Sequence, residues 1–144
     1  MLRIRWLMLA SCAAWALTAN AKAPDTHASD AQGRTYGQNY KDMVLARCIA
    51  RAYEGDAAAS ADAGQTADEL SASLYYDMAS SIDAIPPLVD QFLARDYRNP
   101  RLKAHSMGQQ FRLLKCLDLY HSRALQDQVK RHVPRPNQTH RQEP

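Results

Sequence analysis

The sequence predicts an all-α protein, a compact small helical bundle of about five helices held by one inter-helix disulfide. Three observations carry that prediction. Beyond residue 21 the chain has only four Val, three Ile and four Thr, while Ala and Leu are abundant, a composition that favours helices over strands. Apolar residues recur at steps of three and four in successive segments. Two cysteines, Cys48 and Cys116, fall on the apolar seams of two of those segments.

The N-terminus is set apart first. Arg3 and Arg5 precede a mostly apolar run from Trp6 to Leu17, and Ala19-Asn20-Ala21 closes it. This is the layout of a secretory signal peptide, with cleavage expected after Ala21. The run is too short to span a bilayer as a helix. Leu9-Ala10-Ser11-Cys12 also resembles a lipobox, which would make Cys12 a lipid anchor. The apolar stretch before Cys12 is short for an h-region, however, and continues past it. Removing 21 residues from 144 leaves 123, and the loss of Arg3 and Arg5 takes the net charge from +3 to +1. That length fits one small domain. The near-zero charge argues against a nucleic-acid binder. A secreted chain meets an oxidising compartment. There the two remaining cysteines are most simply one disulfide, the alternative being two buried free thiols.

Residues 22–35 are polar and aperiodic and read as a disordered leader. The first helix is expected from about Tyr36 to Glu54, with Tyr40, Val44, Leu45, Cys48, Ile49, Ala52 and Tyr53 on one face and Gly55 as its left-handed C′ residue. Residues 56–65 read as a helical turn or a loop. Thr66 and Glu69 form a T-x-x-E capping box, and Leu70, Leu74, Met78 and Ile82 follow at i+4 spacing, predicting a second helix. A third is expected to start at Asp83 or Ile85, so that Pro86 and Pro87 fall in its first turn, with Ile85, Leu88, Val89, Phe92 and Leu93 inward. Arg95 to Pro100 reads as a loop, since Asn-Pro ends helices. Residues 101–108 are polar and read as the opening of the next helix, whose inward set is Leu113, Cys116, Leu117 and Tyr120. Ser122 is placed to cap a last helix carrying Leu125 and Val129 and ending near Val133. The helical domain thus spans 36–133, and 134–144 is expected to be an extended polar tail.

Charge is uneven. Residues 54–90 hold eight acids and no Lys or Arg, whereas 101–144 hold nine bases and three acids. The pattern fits two solvated faces, an acidic patch that steers a basic partner, or an isologous dimer that pairs opposite patches.

Catalytic signatures are missing from the sequence. Five glycines form no phosphate cradle, and no HExxH, CxxC or GxSxG occurs. The five histidines have no metal-ligand spacing, and His121 near Cys116 reads as a helix-junction residue rather than as half of a catalytic pair. No metal site and no cofactor are expected. The remaining classes are a binding protein, an exported enzyme or metal carrier, and a structural envelope protein. Tyr75, Tyr76 and Tyr97, in or beside acidic and loop segments, favour binding, because tyrosine is enriched at interfaces.

Five blocks carry a family resemblance. They are Tyr40-Lys-Asp-Met-Val-Leu-Ala-Arg-Cys-Ile-Ala, Leu74-Tyr-Tyr-Asp, Phe92-Leu-Ala-Arg-Asp-Tyr-Arg-Asn-Pro100, Leu114-Lys-Cys-Leu-Asp-Leu-Tyr-His-Ser122 and Arg135-Pro-Asn-Gln-Thr-His-Arg-Gln. From about Thr35 to Gln142 the chain resembles the amidase-immunity proteins of the bacterial type VI secretion system, in the group cognate to the fourth amidase effector family. The resemblance implies a helical homodimer that is not an enzyme. It implies binding to a papain-like cysteine amidase that cuts the D-glutamyl–diaminopimelate bond of peptidoglycan, by covering the amidase cleft. The expected contacts lie at Tyr75, Tyr76, Asp77, Asp83, Asp90, Asp96 and Tyr97. The double proline Pro86-Pro87 departs from the family pattern and bears on the start of one contact helix.

Overall fold

A computed structural model describes residues 29–97 and 110–142. The signal peptide, its cleavage site, Cys12 and the expected helix start at 101–108 lie outside the described residues. Among the described residues five α-helices form the bundle: α1 (Tyr36–Ala52), α2 (Ala57–Ala72), α3 (Met78–Leu93), α4 (Arg112–His121) and α5 (Arg123–His132). Single 3-10 turns lie at Asp30–Gly33 and His140–Gln142. None of the described helices is long and apolar enough to cross a membrane.

α1 is the hub and touches each of the other four helices. Thr35 caps it by accepting the Gln38 amide hydrogen, and Tyr36, Tyr40, Met43, Val44 and Cys48 are buried along it. α2 packs on α1 through Ala63, Ala67 and Leu70. α3 buries Ile85, Leu88, Val89 and Phe92, the stripe expected from its periodicity. The Cys48–Cys116 disulfide joins α1 to α4 with both residues fully buried, so the disulfide expectation holds and the free-thiol alternative does not.

Several local expectations are corrected. α1 ends at Ala52 with Tyr53 as its cap, and Gly55 is not left-handed. Residues 57–72 are one continuous helix. Asp56 caps it by accepting the Ala59 amide hydrogen, and the Ala-rich run 57–63 has the propensity to propagate from there. Thr66 is therefore interior and donates to the Asp62 carbonyl one turn back, so the T-x-x-E pattern caps nothing.

The i+4 row from Leu70 to Ile82 is not one helix. Ser73 ends α2, and Asp77 starts α3 by accepting the Ser80 amide hydrogen. The restart changes the phase of the helix, and Met78 and Ile82 point outward at 53% and 62% exposure. α3 also begins earlier than Asp83, which puts Pro86 and Pro87 inside it. Both prolines are exposed, so the backbone carbonyls they cannot serve face the solvent side, while the buried stripe holds the helix together. In α4, Leu113 and Leu117 lie outward and Leu119 joins Cys116 in the core.

Residues 29–35 and 134–142 pack on the bundle, where part of a disordered leader and an extended tail were expected; 22–28 and 143–144 lie outside the described residues. Ala31 is fully buried, and Asn39 donates to its carbonyl. The tail folds back onto the start of α1. Tyr36 N–H donates to the Gln138 carbonyl (2.7 Å), Gly37 N–H donates to the Pro136 carbonyl (2.8 Å), and Thr35 bridges Thr139. These bonds satisfy amides that a helix N-terminus leaves open. A Cβ on Gly37 would sit 3.0 Å from the Pro136 carbonyl oxygen, so a side chain there would press on the returning tail.

Candidate protein-binding surface

The expected contact residues separate into two groups along α3. Tyr75, Tyr76, Asp77 and Asp83 surround its N-terminal half. Asp90 sits near its C-terminal end, with Asp96 and Tyr97 just beyond. At 1.5 Å rise per residue, Asp77 and Asp90 are about 20 Å apart along the helix. The structure therefore does not bring all seven into one site.

The N-terminal group is the better built. Tyr76 is half-buried: its ring packs edge-on against Tyr40 at 5.8 Å, and its hydroxyl bonds Ser71 Oγ at 2.8 Å. That anchor fixes the loop and turns Tyr75 outward. Tyr75 is exposed, with the Arg135 guanidinium 4.1 Å from its ring centroid and the Tyr36 ring at 6.5 Å. Met78 and Ile82, one turn apart on α3, are exposed, as are Tyr75 in the loop before the helix and the carboxylates of Asp77 and Asp83 on the same stretch. Beside Ile82 a cleft of about 230 Å³ opens between α1 and α3, with Met43, Tyr76 and Ile85 in its lining. An apolar patch next to a cleft is the surface on which a partner side chain anchors. The sequence reading missed Met78 and Ile82 because it took their spacing as a buried row. The signal that reveals them is Asp77 three residues before Ser80, a helix-start pattern.

Asp77 is held by structure. Its carboxylate accepts from Ser80 N–H (3.2 Å) and from Ser80 Oγ–H (2.7 Å). These bonds, the side-chain one first, hold its pKa below the usual carboxylate value. Ser80 Oγ also lies 2.8 Å from His132 Nδ1. The trio contains the residue types of a hydrolytic triad in the wrong order, since the carboxylate grips the serine and not the histidine. Its geometry is that of a cap and a fastener.

At the other end, Asp90 pairs with Arg51 (3.2 Å), and the Tyr97 hydroxyl donates to Asp118 on α4. Burial, followed by the Asp118 carboxylate, pushes the Tyr97 phenol up. These side chains are tied to their own bundle. Among the described residues no group of three His, Cys, Asp or Glu is placed to hold a metal ion.

A family model described as "Type VI secretion system (T6SS), amidase immunity protein" matches residues 38–129, well over half of the chain. The chain belongs to that family. The matched span of this immunity-family member runs through all five helices. A solved structure reported as "New Type VI-secreted toxins and self-resistance proteins in Serratia marcescens" is similar at 29% identity and a TM-score of 0.72, over 85% of this chain and 96% of that one. No curated protein matches significantly.

Proposed function

We propose that this chain is a periplasmic immunity protein. It binds a cognate type VI peptidoglycan amidase of the papain-like cysteine class and covers its cleft, and it has no catalytic activity of its own. The observation that carries the reading is the family membership of residues 38–129. The patch of Tyr75, Met78 and Ile82 supplies the contact: apolar anchors at the centre, Asp77 and Asp83 as a rim that draws in a basic partner surface. Occlusion requires a rigid support, and the Asp77–Ser80–His132 fastening together with the anchored Tyr76 provides one. Export through residues 1–21 places the protein where peptidoglycan is, and the disulfide suits that oxidising compartment. The working form is a homodimer.

The test is a peptidoglycan-digestion assay with a purified type VI amidase from the same genome. Excess immunity protein abolishes digestion and co-purifies with the amidase. Undiminished digestion at saturating immunity protein overturns the reading.

A further inference from the structure

The C-terminal tail does two things at one place. Val133 ends α5 in the core, and the chain then turns at Arg135, whose carbonyl accepts the Gln138 amide hydrogen at 3.1 Å. The turn lies across the start of α1, where Gly37 N–H donates to the Pro136 carbonyl and Tyr36 N–H to the Gln138 carbonyl. Arg135 is thereby held between the end of α5 and the start of α1. From there its guanidinium stands 4.1 Å from the centroid of the Tyr75 ring. Tyr36, whose amide the tail caps, is fully buried, and its own ring lies 6.5 Å from that of Tyr75.

Tyr75 has use for such support. It belongs to the loop 73–77 between α2 and α3, whose backbone is pinned before and after it. Ser73 N–H donates to the Leu70 carbonyl, the Tyr76 hydroxyl bonds Ser71 Oγ, and Asp77 N–H donates to the His132 carbonyl. Those bonds fix the path of the loop and leave the Tyr75 side chain 50% exposed. An exposed ring that turns about its side-chain torsions loses conformational entropy when a partner immobilises it. A guanidinium over its face confines the ring beforehand, so less is lost on binding.

We propose that Arg135 is a positioning residue: the tail is a strap that holds the Tyr75 ring in the orientation in which the amidase takes it. The same turn that caps α1 supplies the guanidinium, so the orientation of an exposed loop side chain is set by the far end of the chain. This role differs from that of a cation offered to the partner. A partner-facing cation acts by its own charge on the amidase, whereas a positioning contact acts only through Tyr75. The inference rests on the amidase-binding reading of the proposed function and deepens it, since it names what prepares one of its contacts.

The experiment is a double-mutant cycle on amidase affinity, made with the exported protein and the purified amidase. Arg135→Ala weakens binding about 2- to 5-fold, the affinity equivalent of an exposed cation–π contact. Arg135→Lys, which keeps a cation but not the planar face, falls between the two. In a Tyr75→Ala background Arg135→Ala adds no further loss. A loss that persists in full in that background overturns the positioning role, because a direct charge contact or a general loosening of the bundle weakens the Tyr75→Ala protein as well. Wild-type affinity for Arg135→Ala overturns it too. A second measurement needs no amidase: in proton NMR spectra the Arg135 δ-protons carry an upfield ring-current shift that Tyr75→Ala removes. If the wild-type chain does not bind the amidase, the proposed function falls and this shift decides alone. Its presence upholds Arg135 as the group that positions Tyr75, and its absence overturns that assignment.

Discussion

His132 Nδ1 lies 2.8 Å from Ser80 Oγ, and the His132 carbonyl accepts the Asp77 amide hydrogen at 2.8 Å. The end of α5 is thereby fastened to the first turn of α3 through both a side chain and the backbone. The fastening lies at the first turn of α3, which also carries the exposed Met78. His132 also stacks with Tyr40, 6.4 Å between ring centroids, and Tyr40 packs on Tyr76. Patch geometry is thus set from the bundle centre.

The fastening has a pH signature. The Asp77 pKa is lowered in the folded protein, so its contribution is present above the unfolded value near 3.8 and is lost as pH falls through the folded value. Asp77→Asn keeps a cap acceptor and removes the titration. Urea midpoints of wild type and D77N should differ most near neutrality and converge below about pH 4. A difference that persists unchanged in acid contradicts this account.

The disulfide closes a loop across 68 residues of sequence between α1 and α4. Chain-entropy arguments value such a loop at about 4 kcal/mol. Thermal melts with and without a strong reductant should show a large drop in midpoint on reduction. The double substitution Cys48→Ala with Cys116→Ala should show a comparable loss. Melting unaffected by either would show that the bond adds nothing to stability.

Gly37→Ala should destabilise by about 1–3 kcal/mol, the usual range for overpacking, because the new methyl meets the Pro136 carbonyl and Val129. Gly64 has open space around its Cβ position within α2, and Gly64→Ala should stabilise by about 0.5–1 kcal/mol. Chemical denaturation of the two variants checks both signs at once.

On the α3 patch, Ile82→Asp and Tyr75→Ala should each weaken amidase binding by at least about 10-fold while leaving the melting midpoint nearly unchanged, since both side chains are exposed. Asp83→Lys should slow association and flatten its salt dependence. Asp90→Lys, about 10 Å further along the helix from Asp83 and beside Arg51, should do less. Surface-resonance kinetics with the purified amidase distinguishes these outcomes, and a larger effect at Asp90 would move the contact to the other end of α3.

Much of the scaffold was legible in the residues alone. The apolar periodicity of α1, the Ile85-to-Phe92 stripe, the Ser122 cap and the pairing of the only two cysteines beyond the expected signal peptide all follow from local propensity and spacing. The same residues left the binding surface ambiguous. A row such as Leu70, Leu74, Met78, Ile82 has one period whether it is buried or interrupted, and only the competition between caps decides which. Asp77 wins that competition because its amide and its Ser80 neighbour find partners on His132, 52 residues away from Ser80. Pro86 and Pro87 likewise look like a helix start until the buried stripe on the opposite face holds the helix through them. The sequence determined which segments are helical and that α1 and α4 are tied. The tertiary structure decided where α2 stops, which leucines face outward on α4, and that Met78 and Ile82 are surface. Those outcomes depend on contacts between distant segments, and a periodic pattern carries no information about them.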